Sequence, residues 1–292
     1  MARGIDTNPN AAQEHQSRLA AMTSPPNPQL FLYDHPVSSY AQKVRMALRF
    51  KNLSFEKQTP QNLGSGHANE AFSDANPRME VPALVDGEFK IFDSTTIVMY
   101  LEDMYPEPAL LPRDPRERAE ARMIEDVCGT HYEATNWAIG EINWFERAKG
   151  DEAKRLIGNA VEQTGQLQEW LSQKLGKKEF FNGASPGYAD IAVAPILNRS
   201  VIYGYGPKEG SALQKWHARI SEIPCVKKTF EEAVEGAKMM ASMGPSTWTP
   251  HGGRRREYRD HRLEWMIKNG GIGIVEQGLK DDNIRFGWPH PK

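Results

Sequence analysis

LFLYDHPVSSYAQKVRMAL (residues 30–48) and EVPALVDGEFKIFDSTTIVMYLEDMYP (residues 80–106) decide the fold between them. In the first, a short apolar run breaks at His35-Pro36 and restarts as a helix with two serines at its entrance. Val44, Ala47 and Leu48 then recur at helical spacing. In the second, a Val-Pro step leads into a hairpin turned at Asp86-Gly87, and Asp93-Ser94 opens a helix carrying Ile97, Val98, Leu101 and Met104. With residues 53–58 as a parallel strand between them, the order strand, helix, strand, hairpin, helix describes a thioredoxin-like α/β layer. Such a layer offers helix N-termini and backbone groups to a small anion.

Outward from this core the composition changes. Residues 107–112 read as a linker, and Asp114-Pro115 supplies an N-cap followed by proline at the first helical position. From there to about Gly244 the periodicity is helical, with no convincing strand. One long helix is predicted from residue 115 toward 148 and another over 152–175. A third starts near Tyr188 and carries Ile191, Ala192, Ala194 and Leu197, and two more cover 213–221 and 225–243. Gly244-Pro245 and Pro250-His251-Gly252-Gly253 are breakers. Beyond them residues 254–269 predict an amphipathic helix with Tyr258, Leu263, Trp265 and Met266 as anchors. A Gly-rich segment and the apolar run from Ile284 to Trp288 follow. The chain thus divides into a mobile tail (1–28), a thioredoxin-like domain (29–112), an all-α helical bundle (113–243) and an extension docked on the body (244–292).

The composition excludes several function classes. A formal net charge of −2 over 292 residues gives no general pull toward nucleic acid or an anionic membrane. Cys128 and Cys225 stand alone, without CxxC or zinc-type spacing, so neither a disulfide framework nor a metal site is expected, and a reducing compartment fits. No run approaches the roughly 20 apolar residues of a membrane span, and the N-terminus lacks the apolar segment of a secretory signal. A cytoplasmic location is the expectation. Gly271-Ile272-Gly273 lacks the third glycine and the preceding strand of a dinucleotide site. Arg254-Arg255-Arg256 reads as a solvated face or as intrachain salt-bridge partners.

The motifs at residues 30–48 and 80–106, with Tyr188-Ala189-Asp190-Ile191 further on, resemble the cytosolic glutathione S-transferase family, in its serine-type, theta/zeta-like branch. The resemblance runs from about Leu30 to about Met243 and leaves both ends uncovered. It implies that glutathione is the cosubstrate and that the partner is a hydrophobic electrophile. It also implies a homodimer. Lys43-Val44-Arg45 matches the basic pattern that follows the family's active residue, and counting seven positions back from Arg45 gives Ser38. The resemblance further implies that the Val81-Pro82 peptide is cis, leaving the valine backbone to pair with the ligand's cysteinyl residue. Asp93-Ser94 matches the acidic-Ser pair that holds the γ-glutamyl end, with Ser94 as a helix cap and an anion site. Ser39, Glu80, Val81, Pro82, Asp93 and Ser94 make up the expected glutathione-binding set. Glu80 departs from the family pattern, because Gln or Lys usually stands there. It would repel the glycyl carboxylate and require Arg78, Lys57 or His67 to balance it. Gly187 replaces the capping Ser or Thr ahead of Asp190, a structural residue.

The chemical task this implies is to keep a thiol ionised. A free thiol has a pKa of about 8.5, and lowering it by two units takes roughly 2.7 kcal/mol. One hydrogen bond to a charged group contributes about 1.5–3 kcal/mol, and a helix N-terminus about 0.3–1 more. A single hydroxyl at a helix entrance is therefore nearly sufficient. Ser38 is assigned that role as donor, although either serine could simply cap the helix. Relatives with cysteine at this position exchange disulfides. Serine favours conjugation, isomerisation, removal of halide or aryl-ether cleavage, and a non-catalytic binding protein is the rival from another class. Tyr40, His131, Tyr132, Asn136, Trp137 and Trp144 are the expected lining of the electrophile pocket.

Overall fold

Leu30 and Leu32 point to the buried face of β1 (Leu30–Tyr33), an inner strand of a four-stranded sheet ordered β2-β1-β3-β4. The computed structural model describes residues 29–61, 63–65, 69–243 and 254–288. The proposed mobile tail, residues 1–28, lies outside them. Strand β2 (Phe55–Gln58) pairs parallel with β1 after the crossover through helix α1 (Ser39–Phe50). Strands β3 (Ala83–Asp86) and β4 (Phe89–Phe92) form the hairpin, and β3 runs antiparallel to β1 with Leu32 opposite Leu84. Gly87 occupies the turn at φ +59°, a conformation open to glycine at no steric cost. A short helix α2 (Glu70–Ala75), capped by Asn69, precedes the hairpin, and α3 (Ser94–Met104) follows it. Helix α2 has no strong periodicity in the sequence, since it buries only Phe72 and Ala75.

The helical part is built on α4 (Pro115–Val127), α5 (Glu133–Asn143), α6 (Gly150–Leu175), α7 (Tyr188–Ile202), α8 (Ala212–Ser221) and α9 (Pro224–Met243). The single helix predicted over 115–148 is instead α4 and α5 joined by a π-helical turn at Cys128–Tyr132, ending at Asn143. The inserted turn shifts which residues face the core, a change that the 3.6-residue spacing does not reveal. Asp190 is buried at the start of α7. Its carboxylate accepts from the backbone N–H groups of Phe181, Asn182 and Gly187 and from Trp216 Nε1, at 2.8–3.2 Å. A Cβ at Gly187 would sit 2.4 Å from Asn182 Cγ and 2.7 Å from the Leu110 carbonyl oxygen. Glycine replaces the usual capping side chain there because the chain passes too close.

One apolar core joins the two domains, running from Leu32, Val44, Leu84 and Ile97 to Ile124, Tyr132, Tyr188 and Trp216. A second core belongs to the extension. The helix predicted over 254–269 is confined to α10 (Asp260–Lys268), because Arg256–Glu257 forms strand β5 and pairs in parallel with β6 (Ile284–Arg285). Between α10 and β6 lies α11 (Ile272–Lys280). Tyr258, Trp265, Met266, Ile274, Val275 and Ile284 pack on Trp137, Ile142, Leu156 and Ala160 of α5 and α6. Trp265 Nε1 donates to Gln163 Oε1 at 2.7 Å, and Arg155 donates to the carbonyls of Asn269 and Gly270.

Candidate active site

The loop from β1 to α1 is shaped by a charge buried beneath it. Arg45 is fully buried and donates to Asp34 Oδ2 at 2.7 Å and to the Pro36 carbonyl at 2.8 Å. A guanidinium with several donors in a fixed plane can hold a carboxylate and a loop carbonyl at once. This pins His35-Pro36 and sets where the helix begins. Helix α9 closes against the same loop at Gly236, where a Cβ would lie 2.5 Å from Pro36 Cγ.

Ser38 is the N-cap of α1, and its Oγ accepts from Ala41 N at 3.3 Å. That bond uses an oxygen lone pair and leaves the hydroxyl proton to donate. Ser38 is half-buried and lines a cavity of about 670 Å³ between the two domains. Ser39 lines it too, but its Oγ is buried and without a hydrogen-bond partner. Tyr40 reaches the same cavity. Its hydroxyl donates to the Gly129 carbonyl at 2.6 Å, and burial, followed by the Glu133 charge, holds the phenol far above its ordinary range. Tyr40 is thus a neutral wall, committed elsewhere through its O–H.

A small cleft opens beside the main cavity, lined by Glu80, Val81, Pro82, Asp93 and Ser94, with Tyr40, Glu80, Val81 and Arg259 shared between the two. The Val81-Pro82 peptide is cis. The cap of α3 is Asp93 rather than Ser94. Asp93 Oδ1 accepts from Thr95 N at 3.1 Å and from Thr96 N at 3.0 Å, and Ser94 is the first helical residue. Asp93 takes φ +75°, sparsely populated for a residue with a side chain. Its carboxylate is locked by its own helix terminus while Ser94 is buried beside it.

The expected electrophile lining is only partly assembled. Tyr40, Trp137 and Trp144 face the cavity. Tyr132 and Asn136 do not; they are core residues. The Tyr132 hydroxyl accepts from Gln168 Nε2, and Asn136 Nδ2 donates to the Ile196 carbonyl while its Oδ1 accepts from Ser200. His131 is exposed on the π turn, outside the cavity. The inserted turn rotates residues 131–136 away from the positions that a regular helix would give them.

The extension, whose aromatic residues Tyr258, Trp265, Phe286 and Trp288 suggest from the sequence that it covers the cleft, supplies one wall of the cavity. Tyr258 and Trp265 are buried anchors, and Trp288 is 54% exposed; what faces the cavity is arginine. Arg255 N donates to the Gly64 carbonyl and Arg285 to the carbonyls of Arg78 and Met79, so the extension also grips the first domain. Arg262 pairs with buried Glu133 at 2.6 Å. Burial pushes the Glu133 carboxyl up, but Arg262 and His261 outweigh it and hold it well below the usual range. Arg259 lies 3.5 Å from Glu80. Burial and then the neighbouring Glu257 carboxylate raise Glu80 to about 8, while Arg259 and Arg285 oppose the rise. Of the residues expected to balance Glu80, Lys57 pairs with Asp34 and Glu232, Arg78 stacks on Phe92 at the small cleft, and His67 lies outside the described residues.

The descriptions of two family models fit this geometry. "Glutathione S-transferase, N-terminal domain" matches residues 32–109, and "Glutathione S-transferase, C-terminal domain" matches residues 132–224. The chain is 46% identical to glutathione S-transferase Z1 of Arabidopsis thaliana over 208 residues, 70% of this chain and 92% of that one. The chain belongs to the glutathione S-transferase family. It is also 32% identical to maleylacetoacetate isomerase of Pseudomonas aeruginosa, across 70% of this chain and 94% of that one. Among solved structures, the tau-class glutathione S-transferase of Mangifera indica superposes with a TM-score of 0.61 at 27% identity, covering 73% of this chain and 98% of that one. In this transferase the thioredoxin-like domain and the helical bundle correspond to the matched models, whereas residues beyond 224 lie outside both.

Proposed function

We propose that the cavity is where glutathione meets a hydrophobic electrophile, and that Ser38 holds the glutathione sulfur as a thiolate. The observation that carries this reading is the placement of Ser38: an N-cap hydroxyl with its proton unspent, at a helix N-terminus, facing a 670 Å³ cavity. The γ-glutamyl end lies in the small cleft at Asp93 and Ser94, and the cysteinyl backbone lies against Val81 and Pro82. The sulfur then reaches Ser38, with Ser39 beside it. The thiolate attacks an electrophilic carbon, a C–S bond forms, and the leaving group departs with its electron pair. Ser38 donates a hydrogen bond throughout and is never the nucleophile. Neither cysteine offers an exchangeable thiolate, since burial raises both Cys128 and Cys225.

The similarity to a bacterial maleylacetoacetate isomerase supports a second reading, in which the thiolate adds to an unsaturated acid and leaves again after bond rotation. Product analysis separates the two: a retained sulfur marks conjugation, and recovered glutathione with a rearranged acid marks isomerisation. We further infer a cytoplasmic homodimer. Two unpaired thiols suit a reducing compartment, and β4, α3 and α4 carry exposed Phe89, Met104 and Met123. Sedimentation equilibrium at twice the chain mass is the expected result.

The deciding test is the ultraviolet absorbance of the thiolate of bound glutathione, across pH, in the wild type and in Ser38→Ala. A thiolate that needs a higher pH in the variant supports the assignment. Binding without any effect of the substitution would move the role away from Ser38.

A further inference from the structure

Seven arginines line the cavity, against the carboxyl groups of Glu80, Glu133 and Glu257, of which Glu80 holds its proton up to about pH 8. Most of the arginines are spoken for. Arg262 pairs with Glu133, Arg285 with Glu257, and Arg259 with Glu80 and Glu257. Arg255 pairs with Asp282 and Arg256 with Glu141, both outside the lining. Two remain. Arg199 of α7 donates to the Val37 carbonyl, and among the described residues it has no carboxylate partner. Arg254, at the start of the extension, lines the cavity, and its guanidinium makes no ion pair or hydrogen bond with the described residues. Both act on His35, the loop residue ahead of Ser38. Burial, and then the charges of Arg45, Arg199 and Arg254, lower its imidazole to about 4, against an opposing pull from Asp34. Arg199 from the helical domain and Arg254 from the extension thus line the cavity together with His35, neither with a carboxylate partner among the described residues.

A cavity with unpaired cations and an aromatic wall of Trp137, Trp144 and Phe145 is poorly suited to a wholly apolar guest. Guanidiniums left without anions in a semi-enclosed site retain an unmet demand for charge, and a carboxylate meets it through paired hydrogen bonds. We propose that Arg254 and Arg199 form an anion subsite that selects an electrophile bearing a carboxylate, with its ring or chain on the aromatic wall. Arg254 is then a specificity-determining residue carried by the extension, a segment outside both family-model matches. The proposal rests on the reading of this cavity as the meeting place of glutathione and its partner. Glutathione also carries carboxylates, and its glycyl end is the other candidate for the same arginines.

The experiment compares two probe electrophiles, neutral chlorodinitrobenzene and its ring-carboxylated analogue chlorodinitrobenzoate, in wild-type protein, Arg254→Ala and Arg254→Lys. The expected result is a fall of about 10- to 100-fold in the ratio of kcat/KM for the acidic probe over the neutral one in Arg254→Ala, with partial recovery in Arg254→Lys. A ratio unchanged within about twofold would overturn the proposal. So would a rise in the KM for glutathione shared equally by both probes, which would give Arg254 to the glycyl carboxylate instead. A second measurement needs neither turnover nor a variant that folds. Quenching of tryptophan fluorescence in the wild type reports binding of unreactive dinitrobenzoate against dinitrobenzene. The acid should bind more tightly, and its advantage should disappear in about 1 M salt, where charges are screened within about 3 Å. Equal binding of the two at low salt overturns the subsite. Acid-selective binding without turnover of either probe keeps the subsite and rejects the transferase reading.

Discussion

Ser38 and Ser39 are neighbours with opposite circumstances, and substitution should show it. Ser38→Ala removes the one free hydroxyl proton aimed from the cap of α1, so the bound thiol should titrate about one to two pH units higher. At neutral pH kcat/KM should fall about 10- to 100-fold, while glutathione affinity, measured by calorimetry, changes far less. Ser39→Ala deletes a buried oxygen that has no partner, so thermal unfolding should leave the protein as stable as before or up to about 1 kcal/mol more stable. Glu80 gives a pH signature. Its folded pKa, about 8, lies above the ordinary carboxylate value of 4.5, so the folded state holds a proton that the unfolded state has released. Stability from this group is complete below about 4.5 and is lost as pH rises through about 8. His35, lowered to about 4, has the opposite sign but acts only below its ordinary 6.5. Between pH 6.5 and 8 the melting temperature should therefore fall in the wild type and stay nearly flat in Glu80→Gln.

At the scale of elements, the extension is fastened by ion pairs as well as by its core. Glu133 on α5 is almost wholly buried and satisfied by Arg262 and His261 of α10. Removing one partner of such a pair costs about 3–5 kcal/mol, because the other charge is left stranded. Arg262→Ala should lower the urea midpoint accordingly, with an unchanged m-value, and Glu133→Gln combined with it should recover part of the loss. A different lock starts α7. Asp190→Asn replaces an all-acceptor group by one that presents an NH2 to backbone donors, at a cost of about 1–3 kcal/mol. No change in unfolding free energy in that variant would contradict the role given to Asp190.

Two walls of the cavity lie beyond both matched models, the face of α9 that carries Gly236, Ala237 and Met240, and the extension. Ending the chain at residue 243 removes the arginine side of the cavity and uncovers Trp137, Ile142 and Leu156 on α5 and α6. Such a truncation should melt at a lower temperature, bind a hydrophobic dye and show a changed apparent KM for the second substrate. A change in stability alone would make the extension a brace. The sequence by itself determined the thioredoxin-like layer and put two serines at a helix entrance, because short apolar runs, the Asp86-Gly87 turn and helix caps are local rules. The choice of Ser38 between them came from the family pattern around Arg45. It marked Arg45 as a register point but not as the clamp on the loop, since that depends on Asp34 and Pro36 being brought under it. It could not show that a π turn sends Tyr132 and Asn136 into the core, because one inserted residue per turn leaves the apolar spacing almost unchanged. Nor could it show that Arg254 faces the cavity while Arg255 and Arg256 find acidic partners. Three adjacent arginines look alike in sequence. Only the pairing of β5 with β6, across a segment of 27 residues between Glu257 and Arg285, turns each toward a different neighbour.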